Sequence, residues 1–126
     1  MANNFKVVTF AAEPNASGTP YVVYTAASTV TTVVLGLILS NIHTSQVTAT
    51  VRLVSDTAAR GGALSSDANT VANGTAILLK DAPIPVGASL ELLSGNKVVL
   101  EGTDQITIDC SVADKLSGSL SIMEIS

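Results

Sequence analysis

The sequence predicts an all-β protein: an antiparallel β-sandwich, jelly-roll-like, of about eight to nine short strands with one long loop. Three observations carry that expectation. Apolar residues recur with period two instead of helical spacing. The runs are built largely of Val, Ile, Leu and Thr, and β-branched side chains suit a half-buried pleated surface. Clusters of Gly, Pro, Asn and Ser punctuate them at close intervals. A chain of 126 residues makes one domain, residues 1–126. At 47% hydrophobic and 13% charged it is the reverse of a disordered chain.

Taken in order, the first strand covers residues 5–10, and Pro14-Asn15-Ala16-Ser17-Gly18 separates it from a second at 21–25. Residues 33–39 are continuously apolar, so this reads as a central strand covered on both faces. Gly36 within it marks a bulge or a close approach by a neighbour. Residues 41–44 form a short polar connection fit for a hairpin and carry His43. Over 45–55, Val47, Ala49, Val51 and Leu53 fall on one face, with Thr48, Thr50 and Arg52 on the other. Residues 56–73 hold only Leu64 and Val71 as larger apolar groups. This is the long loop, either a flexible excursion or a contact arm that orders on a neighbour.

A strand at 75–80 follows, and Pro83-Ile84-Pro85-Val86-Gly87 should block further pairing, because neither proline donates to a ladder. Strands at 90–93 and 97–100 flank Ser94-Gly95-Asn96, which suits a tight turn between Leu92 and Val98. Residues 105–112 alternate, with Ile106, Ile108, Cys110 and Val112 inward. In the last strand, 119–125, Leu120 and Ile122 keep one phase while Met123 and Ile125 take the other. A bulge, or an interface covering the second face, would explain that slip.

Several function classes are disfavoured. The net charge is −4, and the six basic residues are scattered. A nucleic acid is held by clustered Lys/Arg contacts to phosphate, so none is expected as partner. Phe5, Phe10, Tyr21 and Tyr24 are the only aromatics, too few for base or sugar stacking. The longest apolar run, 33–39, is far short of a membrane-spanning helix, and no basic region followed by an apolar stretch suggests a signal peptide. Cys110 is the single cysteine, in phase with the core, so it reads as a small buried hydrophobe. His43 is the single histidine, in a solvent-exposed turn, and no serine sits in a Gly-x-Ser-x-Gly elbow. Glu91, Glu101, Asp104 and Asp109 lie near one edge. Four acids there could do general acid/base work or hold Ca²⁺, but acids at strand ends also simply keep an edge soluble. No catalytic residue, cofactor or metal ligand is assigned, and no enzyme is expected.

The mean hydropathy of +0.49 exceeds what a small sandwich interior absorbs. Aliphatic residues left over must meet a partner, and symmetric self-association is the usual solution. The candidate contacts are Phe5 and Phe10, on a possible N-terminal arm at residues 1–10, Arg60 and Leu64 in the long loop, and Met123. An arm with an unpaired edge can add a strand to a neighbour's sheet. Alternatively, Phe5 and Phe10 plug this domain's own core.

Three stretches carry a family likeness. Phe5-Lys6-Val7-Val8 leads through Tyr21-Val22-Val23-Tyr24-Thr25 to the aliphatic strand ending at Asn41. Then come Asp81-Ala82-Pro83-Ile84-Pro85-Val86-Gly87 and Lys97-Val98-Val99-Leu100-Glu101-Gly102-Thr103-Asp104, closing with Met123-Glu124-Ile125. Together they resemble small all-β virion structural proteins of tailed bacteriophages, particularly those of marine cyanophages. The resemblance implies a virion component made in the host bacterial cytoplasm, with no catalytic residues. Its partners would be further copies of itself, as a trimer on local threefold axes, and the major capsid protein or neck and tail proteins. Capsid decoration (cement) is the first role implied, and a neck, collar or tail accessory protein is the alternative. A carbohydrate- or receptor-binding sandwich is the reading from a different class.

Overall fold

The computed structural model describes residues 3–55, 75–92 and 97–126. Nine strands follow in chain order: β1 (Asn3–Phe10), β2 (Tyr21–Thr25), β3 (Thr31–Asn41), β4 (Val47–Val54), β5 (Thr75–Ile84), β6 (Ser89–Leu92), β7 (Val98–Leu100), β8 (Gln105–Cys110) and β9 (Leu116–Ile125). Among the described residues there is no helix. The strands make two antiparallel sheets. One is ordered β1-β9-β3-β6, with β7 also on β3, and the other β2-β8-β4-β5. The sandwich expected from the period-two pattern is therefore what the chain forms.

The pairing is nested: β1 with β9, β2 with β8, β3 with β6 and β7, β4 with β5. This is a long hairpin rolled up so that its arms are dealt between two sheets, the wrap of a jelly roll. Two expected hairpins are corrected by it. The connection at 41–44 carries the chain from one sheet to the other. Asn41 stitches it, its Nδ2 donating to the carbonyls of Ser45 and Ile84 at 2.9 Å each, its Oδ1 accepting from the His43 amide at 2.7 Å. His43 is accordingly half-buried. Likewise β6 and β7 do not pair with each other. Both run antiparallel to β3, at Leu37–Ser40 and Thr32–Val34, so they are two pieces of one interrupted strand. The turn expected at Ser94-Gly95-Asn96 and the long loop at 56–73, with Arg60 and Leu64, lie outside the described residues.

The prolines do not stop β5. It continues through Pro83, opposite Thr48, to Ile84. β5 is the edge of its sheet, where a missing N–H on the outer side costs no ladder bond. Its register against β4 is shifted around Thr50, where Asp81 takes a left-handed φ of 49° and donates its amide to Thr50 Oγ1 at 3.0 Å. Asp tolerates that region better than most residues.

The core lies between the sheets. Val34, Leu37, Leu39, Leu100, Leu120 and Ile122 face Val47, Ala49, Val51, Ile84, Ile106, Ile108 and Cys110 across it. β4 and β8 bury the faces that their alternation predicts. β3 corrects the expectation of two covered faces. It is central in its sheet, but Ile38 on its other face is 44% exposed. Its unbroken apolar run arises because a bulge at Leu35–Gly36 shifts the alternation by one residue. β1 is no arm: it pairs with β9 from Asn3↔Ile125 to Phe10↔Gly118. Phe10 plugs the core, edge-on to Tyr21 with ring centroids 6.0 Å apart, whereas Phe5 does not.

Candidate assembly surface

Residues directly opposite in an antiparallel ladder share a face. The register therefore maps the outer face of the β1-β9-β3 sheet row by row. Phe5, Met123, Val33 and Val99 form one row across four strands. The next is Val7, Ser121 and Gly36, and the third Thr9, Ser119, Ile38 and Glu91. Phe5 is 73% exposed, Val7 64% and Val99 55%. Within these rows Glu91 is the one charged residue. Beside the β3 bulge the face dips into a cavity of about 290 Å³, lined by Leu35, Gly36, Leu37, Ile38, Ser119 and Ser121, with Glu91 in its wall. The dip exists because β9 offers only serine hydroxyls there and β3 offers a glycine. A β-carbon on Gly36 would meet nothing nearer than the Leu92 carbonyl at 4.0 Å.

The phase slip in the last strand is thus resolved. β9 keeps an unbroken register with β1, with no bulge at Met123, so Met123 and Ile125 belong to the outer face. Of the five contact residues expected from sequence, Phe5 and Met123 are brought together in one row, and Phe10 is withdrawn into the core. Arg60 and Leu64 are outside the described residues. Sequence reading missed Val7, Val33, Ile38 and Val99. Each belongs to an ordinary apolar strand pattern, and only cross-strand register puts them on one face.

Asp104 and Asp109 are spent on structure. Asp104, buried at the head of β8, accepts from the Glu101 amide at 3.0 Å and the Ser55 hydroxyl at 3.1 Å, closing the turn before β8. Asp109 holds the Gly18 amide at 3.0 Å. Glu91 projects from the opposite sheet, so the four acids grouped by sequence do not converge. Among the described residues no group of three His, Cys, Asp or Glu could hold a metal ion.

Glu13 was not expected. It is fully buried, with Oε1 accepting from the Asn15 amide at 2.8 Å and Oε2 without a hydrogen bond. Burial pushes its carboxyl pKa up, and the charges of Asp109 and Asp114 add to this. At the far end of the sandwich, Tyr24 Oη donates to Glu124 Oε2 at 2.6 Å, and Lys6 Nζ lies 2.7 Å from Glu124 Oε1.

No family model matches the chain, and no curated protein matches it. Among solved structures it is similar to a chain in the structure of infectious bursal disease virus, Gx strain. The identity is 13% and the TM-score 0.48, over 96% of this chain. This chain spans about a third (32%) of the length of that one.

Proposed function

We propose that this chain is a structural protein of a virion, with no catalytic role, acting as a homo-oligomeric capsid decoration (cement) protein of a tailed bacteriophage. The observation that carries the reading is the outer sheet face: a largely apolar surface on a two-sheet domain, with Glu91 as the one charge in its rows. Such a face serves assembly, where apolar and main-chain contacts dominate and charge steering is minor. The sequence likeness to small all-β phage virion proteins supplies the particle. Fold alone does not, because jelly rolls host many functions. A neck, collar or tail accessory protein is the second reading, favoured by the same surface. A sugar-binding module finds less support, since Phe5 is the one aromatic on the face.

The test is quantitative mass spectrometry of purified particles. Copies in proportion to the major capsid protein fit decoration. A small fixed number per particle fits neck or tail. Absence from the particle overturns the reading.

A further inference from the structure

We propose that two copies of this chain pair face to face through the outer surface of β1, β9 and β3, about a two-fold axis running along β9, with Val7 of each copy seated in the dip at Gly36 of the other. This deepens the self-assembly part of the reading above. It names the surface and replaces the threefold expectation with a two-fold one.

The register carries the argument. β1 and β3 flank β9 on either side, and Val7, Ser121 and Gly36 stand level across the three strands. A two-fold axis lying over β9 and parallel to it exchanges the two sides without changing the level. Whatever projects from β1 then meets, on the partner, what lies at the same level on β3. At the level of Ser121 the projection is Val7, 64% exposed, and the opposing feature is the dip over Gly36. One level along, Phe5 meets Val33 of the second copy and Met123 lies over Met123. Both knob and hole occur on one face, which is the condition for an isologous contact that closes at two.

Charge agrees with a second copy as occupant, and size sets how strongly it binds. The chain carries a net charge of −4, yet these rows bear a single charge, Glu91, which lies off the axis in the wall of the dip. Two such faces approach without like-charge repulsion at their centre, and a strongly charged partner would find nothing to read. The three strands that overlap about this axis, β1, β9 and β3, at ~4.8 Å spacing over the Ser119–Ile125 stretch of β9 at ~3.4 Å per residue, offer roughly 340 Å² of face. A stable interface buries about 800 Å² per partner, so the contact is reversible in solution and gains strength where copies are arrayed.

The test is sedimentation equilibrium of the purified chain over a wide concentration series. The expected result is a monomer–dimer equilibrium. Val7→Glu should weaken it by about tenfold or more, since it seats a carboxylate in a dip whose wall already carries Glu91. Gly36→Val should do the same by filling the hole, and its β-carbon meets nothing nearer than the Leu92 carbonyl at 4.0 Å. Ile77→Lys, exposed on the other sheet, should leave it unchanged. Unaltered thermal unfolding checks that each variant folds. A wild-type monomer at the highest soluble concentration, a trimer, or a dimer that ignores both Val7→Glu and Gly36→Val would each overturn the proposal. A dimer found for a chain absent from particles would sink the virion reading and leave this one standing. A monomer recovered from particles would do the opposite.

Discussion

Tyr24 and Glu124 are one hundred residues apart in the chain and 2.6 Å apart in space. Tyr24 belongs to β2 and Glu124 to β9, so the bond joins the two sheets at one end of the sandwich. Since the phenol donates to the carboxylate, it accepts from the Thr32 hydroxyl at 2.8 Å, and Lys6 completes the carboxylate's partners. Three strands of one sheet are thereby tied to the edge strand of the other.

Tyr24→Phe should cost about 1–3 kcal/mol, the range for a hydrogen bond to a charged group and the partner it leaves behind. The sign of the pH dependence follows from the two shifts. The Lys6 and Tyr24 contacts hold the Glu124 pKa below the ordinary glutamate value, so this stabilisation is present above that value and lost as pH falls through the lowered one. Burial, then the bond to Glu124, raises the Tyr24 pKa, so stability falls again as pH climbs past the ordinary tyrosine value. Denaturant melts of wild type and Tyr24→Phe across pH should differ most in the neutral range and converge in acid. A constant difference down to acid would refute the coupling.

Gly118→Ala should be among the costlier single-methyl additions in this chain. A β-carbon there would sit 2.4 Å from Cζ of Phe10 and 2.9 Å from the Ile38 carbonyl. The Phe10 ring lies on the space the glycine leaves, and the carbonyl is backbone and cannot step aside. Overpacking of this kind costs about 1–3 kcal/mol. Equilibrium unfolding should also show that Phe10→Ala, a cavity change, costs about 3–5 kcal/mol. Joining Gly118→Ala with Phe10→Ala should cost less than the sum, because the clash goes with the ring.

Glu13→Gln should stabilise the protein at neutral pH. A carboxyl whose folded pKa is raised binds its proton more tightly folded than unfolded. Stability then declines as pH rises from the ordinary glutamate value through the raised one. Glutamine keeps the acceptor for the Asn15 amide and removes the buried charge. The gain should be on the order of 1 kcal/mol at neutral pH and vanish in acid. A Gln variant less stable than wild type at every pH would show that the carboxylate has a partner in solution.

Cys110 should resist thiol reagents in the native protein and react at once after unfolding. It is 1% exposed, and burial raises its pKa, so little thiolate is available. Cys110→Val should cost under about 1.5 kcal/mol, as a near volume-conserving change. Rapid labelling without unfolding would mean that β8 opens locally.

Strand number and strand position were legible because period-two alternation is a local property, and β4 and β8 show it plainly in Val47 to Leu53 and Ile106 to Cys110. What the sequence hid was everything decided by pairing. The Leu35–Gly36 bulge erased the alternation of β3 and made a one-sided strand look two-sided. Pro83 looked like a stop because its tolerance depends on β5 being an edge, which no local pattern records. The assembly face was half legible. Met123 betrayed itself by breaking phase within one strand, and Phe5 by being a large aromatic near the chain start. Val7, Val33 and Val99 look like any core valine until the register lines them up. Glu13 was invisible because nothing in Ala12-Glu13-Pro14 says that the loop will fold over it.

The nested pairing also has a cost during biosynthesis. A ribosome releases β1 first and β9 last, yet these two are neighbours in the finished sheet, as are β2 and β8. β4 and β5 alone can pair as soon as they emerge. Every earlier strand must wait, its edge open, for a partner still unmade. The domain therefore closes late and all at once, and a chain released before β9 leaves both β1 and β3 without the strand that lies between them. Without β9 the chain cannot bring Val7 level with Gly36, so the outer face exists only once that strand is in place.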